Sequence, residues 1–148
     1  MKTNWFNIPP RSFKYADKWL FWRTILLALT LRLLLKLFSF KAVVRYLKRF
    51  EKPYDDTAGP VITAGEFKMY RIMIRLSYKF WPVINCLSSS LAFRLMLQRR
   101  GIDTILRFGI LKDGKKLRSH AWLERDGYPV NPDDGMIQKY ITFAEAIL

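Results

Sequence analysis

The chain has 148 residues, 51% hydrophobic and 16% aromatic, which excludes a disordered chain and suffices for one domain with its own core. A single cysteine and a single histidine exclude an internal disulfide and a cysteine-based zinc site. The net charge of +14 is uneven: 12 Lys/Arg against 2 acids over residues 1–52, 7 against 3 over 53–100, and 7 against 7 over 101–148. The positive field therefore belongs to the N-terminal half, where it attracts anionic partners.

Residues 1–16, with Ile8-Pro9-Pro10, read as an extended arm, and residues 17–148 as one domain, helical over 17–101 with a sheet over 103–133. The first helix, about 17–38, is Leu-rich. Arg23, Arg32, Lys36 and Lys41 interrupt the apolar run from Trp19 to Leu47, whose longest uncharged stretch there, Thr24 to Leu31, is far short of the ~20 residues a membrane span needs. We read core helices, with contact to a membrane surface as the alternative. No signal peptide is evident, which points to a cytoplasmic protein with or without membrane association.

Ser39 is placed to cap a second helix, in which Phe40, Val43, Val44 and Leu47 follow i, i+3, i+4, i+7 spacing. Pro53 to Gly65 reads as a linker. A third helix over about 66–80 carries an apolar stripe (Met69, Met73, Leu76, Phe80) and a basic one (Lys68, Arg71, Arg75, Lys79). The basic stripe is either a solvated face or a docking surface for a substrate or partner. Trp81-Pro82 ends that helix, and Asn85 opens a fourth that runs to Gly101.

The period then changes. Thr104 to Leu111 is a predicted strand, Lys112 to Lys115 a turn, Leu117 to Glu124 a second strand, Asp126-Gly127 a hairpin turn, and Tyr128 to Asn131 a short third strand, with Pro129 marking it as an edge. The segment after Gly135 has no assignment. The fold class is α+β: N-terminal helices followed by a small antiparallel sheet packed on the Cys86 helix.

Cys86 follows the capping Asn85, so its thiol falls in the first helical turn, where unpaired amides and the helix dipole favour an anion. Its bland reading is a small buried apolar residue. His120 shares a strand face with Arg118, Trp122 and Glu124, and a lone strand histidine is more often a structural residue than a base. With Asp126-Gly127 as a two-residue turn, Arg125 pairs with Tyr128, and the same register sets Asp133 opposite His120. A carboxylate there orients the imidazole and leaves its other nitrogen to take the thiol proton. A bulge at Pro132 would substitute Asp134. Cys on a helix, then His and Asp on paired strands, is the layout of papain-like and transglutaminase-like thiol enzymes. The chemistry is acyl transfer, with an oxyanion at the Cys86 backbone amide and Trp81 or Asn85 as the second donor. It needs no metal or cofactor.

The block Cys86-Leu87-Ser88-Ser89-Ser90-Leu91-Ala92-Phe93-Arg94-Leu95-Met96-Leu97-Gln98-Arg99-Arg100-Gly101-Ile102 resembles the Cys-Leu…Ala-Leu…Leu…Arg-Arg-Gly-Ile block of lasso-peptide leader peptidases. Leu106-Arg107-Phe108-Gly109-Ile110 and Ser119-His120-Ala121-Trp122-Leu123-Glu124…Asp126-Gly127 resemble its later blocks, and the likeness covers roughly residues 17–135. The resemblance implies a transglutaminase-like cysteine protease that removes the leader of a ribosomally made precursor peptide and supplies an ATP-dependent lasso cyclase. It implies Cys86 as nucleophile, His120 as base and an Asp after Asn131 as orienting acid. The family often has Asp directly after that Asn. Here Pro132 intervenes, which leaves Asp133 and Asp134 both open. Some relatives carry a leader-binding module of strands and helices ahead of the peptidase. Residues 1–80 read as helical, so leader recognition is expected from a separate protein, which the basic stripe and Trp122 would help to dock.

Two other readings compete: an amide acyltransferase using the same triad, and a non-catalytic basic module on a membrane or peptide. No aromatic-basic interleaving points to nucleic acid.

Overall fold

The structure is a computed structural model that describes residues 15–50, 70–72, 84–99, 101–130 and 137–142. Residues 1–14 of the expected arm, the linker, most of the third predicted helix, Trp81, and Asn131 to Met136 lie outside the described residues. So do Lys68, Arg75, Lys79, Asp133 and Asp134. Tyr15 and Ala16, expected in the arm, already belong to the first helix.

Helix α1 spans Tyr15–Leu37 and α2 spans Phe40–Lys48. Ser39 is the N-cap of α2, its hydroxyl accepting from the Ala42 amide at 3.4 Å. Val43, Val44 and Leu47 are buried as their spacing requires. Tyr70–Ile72 is helical, with Tyr70 buried. Helix α3 spans Cys86–Gln98. Asn85 caps its start, accepting from the Ser88 amide at 2.8 Å. Its end closes where Gly101 N–H donates to the Gln98 carbonyl and Ile102 N–H to the Leu97 carbonyl, a Schellman pattern.

The sheet holds β1 (Ile105–Asp113), β2 (Lys116–Arg125), β3 (Tyr128–Pro129) and β4 (Ile141–Thr142), all antiparallel, in the order β3-β2-β1-β4. Asp126 (φ 53) and Gly127 (φ 77) both take the left-handed conformation, as a two-residue hairpin turn of matching twist requires. The register is the one the turn predicts: Arg125 faces Tyr128 and Glu124 faces Pro129. The Val130 amide carries it one step further, donating to the Leu123 carbonyl at 2.9 Å. β3, with Pro129, lies at the edge of the sheet. The segment that carried no assignment supplies a 3-10 turn (Ile137–Lys139) and β4, which pairs with β1 at Gly109 and Ile110.

The core lies between the helices and one face of the sheet. Ile25, Ala28 and Leu31 of α1 meet Leu91, Ala92 and Leu95 of α3, and Leu106, Ala121 and Leu123 close the cluster from the strands. Thr24 Oγ1 donates to Met96 Sδ at 3.6 Å across the α1–α3 contact, and Phe40 of α2 packs edge-on against Phe108. The architecture is α+β, helices first and a small antiparallel sheet after them. No helix among the described residues is long and apolar enough to cross a membrane.

Candidate active site

Asn85 is held in an extended conformation (φ −93, ψ 170) while its side chain and carbonyl tie down the first turn of α3. Its carbonyl also accepts from the Ser89 amide and from the hydroxyls of Ser88 and Ser89 at 3.2 and 3.0 Å. Cys86 is therefore the first residue of a well-fixed helix, half-buried, with its thiol free of any disulfide. The amides of the first turn have no carbonyl four residues back within the helix, and the turn contains no acidic residue. An anion is thus favoured at this end of α3. The Asn85 carboxamide oxygen is committed to the cap, which leaves the NH2 group as that side chain's donor.

His120 lies on β2 opposite Gly109 of β1. Strand alternation separates two sets of side chains. Ala121 and Leu123, with Leu106 and Phe108, face the helices. His120, Trp122 and Glu124, with Arg107 and Gly109, face the other way. Tyr140 comes back over this second face. Its ring centroid lies 5.5 Å from that of His120 and 6.3 Å from that of Trp122, while His120 and Trp122 stack at 6.1 Å with 20° between their planes. Trp122 Nε1 donates to Glu124 Oε1 at 2.9 Å, and Arg107 Nε donates to Glu124 Oε2 at 3.0 Å. Both oxygens of the carboxylate nearest His120 along this strand are therefore occupied in holding the aromatic layer.

The expectation that Trp122 docks a substrate or partner does not fit this arrangement. Trp122 is 1% exposed, so it supports the His120 face from within. Alternation places Trp122 on the face shared with Arg118, His120 and Glu124, and nothing local announces that Tyr140 packs there.

A hydrogen bond connects the helix to the strand. Ser90, one turn after Cys86, is fully buried, and its hydroxyl donates to the Ala121 carbonyl at 3.0 Å. Ala121 and Leu123 have the same parity, so both carbonyls point to the β3 edge of β2. The Val130 amide satisfies Leu123, and the Ser90 hydroxyl satisfies Ala121. The start of α3 is thus fastened to the edge of β2 at the residue next to His120. His120 and Ala121 point to opposite faces, so the imidazole lies on the face of the sheet away from α3, while its strand is tied to α3 at the next residue.

Removing the Ser90 hydroxyl leaves a buried carbonyl without this donor. Ser90→Ala is expected to lower the unfolding free energy by about 1–3 kcal/mol. An earlier urea midpoint would register it, and an unshifted midpoint would refute the bond's contribution. Neither Ser90 nor the Tyr140–Gly109–Trp122 layer was singled out from the sequence. The signal available was a glycine inside a strand, which often marks close approach of another group.

The chain matches the family model described as Transglutaminase-like superfamily over residues 25–145. That span takes in Cys86, His120 and both candidate aspartates. No curated protein and no solved structure matches the chain significantly. The match covers well over half of the sequence, and the chain belongs to the Transglutaminase-like superfamily.

Proposed function

We propose that this chain is a cysteine endopeptidase that removes the leader from a ribosomally made lasso-peptide precursor. The observation that carries the proposal is the fastening of the Cys86 helix start to the β2 edge beside His120. These are the only cysteine and the only histidine of a transglutaminase-like chain. Cys86 attacks the scissile carbonyl as thiolate, His120 having taken its proton. The tetrahedral oxyanion is met by the Cys86 amide and a second donor from Asn85 or Trp81. It collapses to a thioester as the amine leaves with the proton from His120, and water then hydrolyses the thioester. Asp133 is the orienting acid of this scheme and Asp134 its alternative. Asp133 is preferred because the turn register on which that preference rests is the one found at Arg125–Tyr128, Glu124–Pro129 and Leu123–Val130. The precursor peptide, a separate leader-recognition protein and an ATP-dependent lasso cyclase are the proposed partners.

Mass spectrometry of a lasso-type precursor incubated with the chain and the leader-binding partner tests this reading. A single cut between leader and core, with water added, supports it. A product carrying an acceptor amine instead identifies an acyltransferase, the second reading that superfamily membership supports. An intact precursor under all conditions sinks both.

The basic stripe is proposed to dock the leader-recognition protein or an acidic stretch of leader, on the strength of its single-sign charge. Reversing Lys68, Arg71, Arg75 and Lys79 to Glu is expected to reduce complex formation at least tenfold by titration calorimetry. Unchanged affinity and unchanged cleavage would reject the docking role.

A further inference from the structure

Helix α1 is apolar on two sides. Its inner side (Ile25, Ala28, Leu31) is in the core, yet Trp19, Trp22, Leu26, Leu33 and Leu37 are each between 55% and 66% exposed. At about 100° per residue these five fall within roughly 60° of the helix circumference, a continuous stripe along the outer face. Lys18 and Lys36 lie about 40° beyond one border of the stripe and Arg23 about 40° beyond the other. Arg23 sits over the Trp19 ring, 4.6 Å from its centroid. Helix α2 repeats the character: Tyr46 and Phe50 pack edge-on at 5.1 Å, both more than half exposed, among Arg45, Lys48 and Arg49. Residues 18–50 contain eight Lys/Arg, all exposed, and no acid. The nearest acids in sequence are Asp17 and Glu51.

We propose that the outer face of α1, with the exposed side of α2, is a docking surface for an anionic lipid bilayer. The occupant follows from the charge. A second copy of the chain would set cations against cations along both borders of the stripe. The core of a protein interface is depleted in lysine, whereas Lys18, Lys36, Lys41 and Lys48 frame this one. An apolar stripe with two indoles, bordered by long cationic side chains whose stems lie along it while their heads reach outward, has the composition of a helix lying in the headgroup layer. Such a helix lies on the bilayer and does not cross it, in keeping with the exposed cations and the lack of a spanning segment among the described residues.

The test is vesicle flotation of the full chain with phosphatidylcholine alone and with phosphatidylcholine containing 30 mol% phosphatidylglycerol. Binding is expected to the anionic vesicles, to fall as salt rises, and to be at least tenfold weaker to the neutral ones. Neutralising Lys41, Arg45 and Lys48 to Gln together is expected to weaken it by roughly a hundredfold. Neutralising Lys112, Lys115 and Lys116, exposed at the β1–β2 turn, should leave it within about twofold. Both triple variants change only exposed side chains, and matching thermal melts would confirm that they fold. Brominated lipid should quench the wild-type tryptophan signal, and Trp19→Phe with Trp22→Phe should remove most of that quenching. Equal losses in the two triple variants would overturn the proposal, as would quenching indifferent to Trp19 and Trp22. So would absence of vesicle binding together with concentration-dependent self-association or capture by an acidic partner protein.

Discussion

Cys86→Ala is expected to abolish turnover of the precursor, lowering kcat/KM by at least about 10⁴-fold, and His120→Ala to do nearly the same. The two losses should not multiply. If the thiol and the imidazole act as one nucleophile–base unit, removing either disables both, and the double variant is no slower than the slower single one. Folding is not expected to confound the measurement. Cys86 is a half-buried residue at the first position of a helix whose cap is made by Asn85, and the cap bonds do not use its side chain. His120 lies on a half-exposed position of β2. Thermal melts of both variants should stay within a few degrees of wild type. Single-turnover kinetics of the four proteins on one precursor decide the matter: a double variant slower than either single by the product of their effects would mean two independent contributions, and undiminished cleavage by Cys86→Ala would remove the thiol from the chemistry.

What could be read from the sequence was local. Ser39 and Asn85 announced their helices because a capping side chain works within its own turn. Asp126-Gly127 announced both the hairpin and its register because two consecutive left-handed residues leave the chain little choice. Cys86 at a helix start and His120 on a strand followed from those signals. The features that escaped depend on partners distant in sequence. β4 is two residues long, and among the described residues it is held by the pairing of Ile141 and Thr142 with Ile110 and Gly109. Trp122 sits on the face that alternation assigned to it, but Tyr140 buries that face. In the run Ser88-Ser89-Ser90, nothing in the sequence distinguishes the hydroxyl that binds strand β2 from the two that bond back to their own helix. On α1, apolar residues on both sides gave no indication of which side would meet α3. The packed side turned out to be the one with the small residue Ala28, where the helices can approach closely.

Gly109→Ala should damage both the sheet and the site. A Cβ on Gly109 would stand 2.8 Å from Trp122 Cη2, 2.9 Å from Trp122 Cζ3 and 2.9 Å from Tyr140 Cβ. None of the three can move cheaply. Trp122 is buried and its indole N–H is tied to Glu124, which Arg107 holds in turn. Tyr140 Cβ is fixed by its own backbone, between the 3-10 turn and β4, and β4 is paired to Gly109 itself. The added methyl is therefore expected to cost about 1–3 kcal/mol by overpacking, and to loosen β4 or tilt the aromatic layer. Since His120 packs against the rings of Trp122 and Tyr140, its imidazole moves with them. A displacement of this kind lowers kcat even at temperatures where the variant is fully folded. Gly114→Ala supplies the comparison. A Cβ there meets nothing within 4 Å, so its cost is the backbone strain of a positive φ, roughly 1 kcal/mol. The β1–β2 turn is also five residues along the strand from Gly109 and away from the aromatic layer. Both variants should melt earlier than wild type, but only Gly109→Ala should lose turnover at 10 °C, by about tenfold or more. Wild-type turnover by Gly109→Ala, or an equal loss in Gly114→Ala, would mean that the Tyr140–Gly109–Trp122 layer stabilises the sheet without positioning His120.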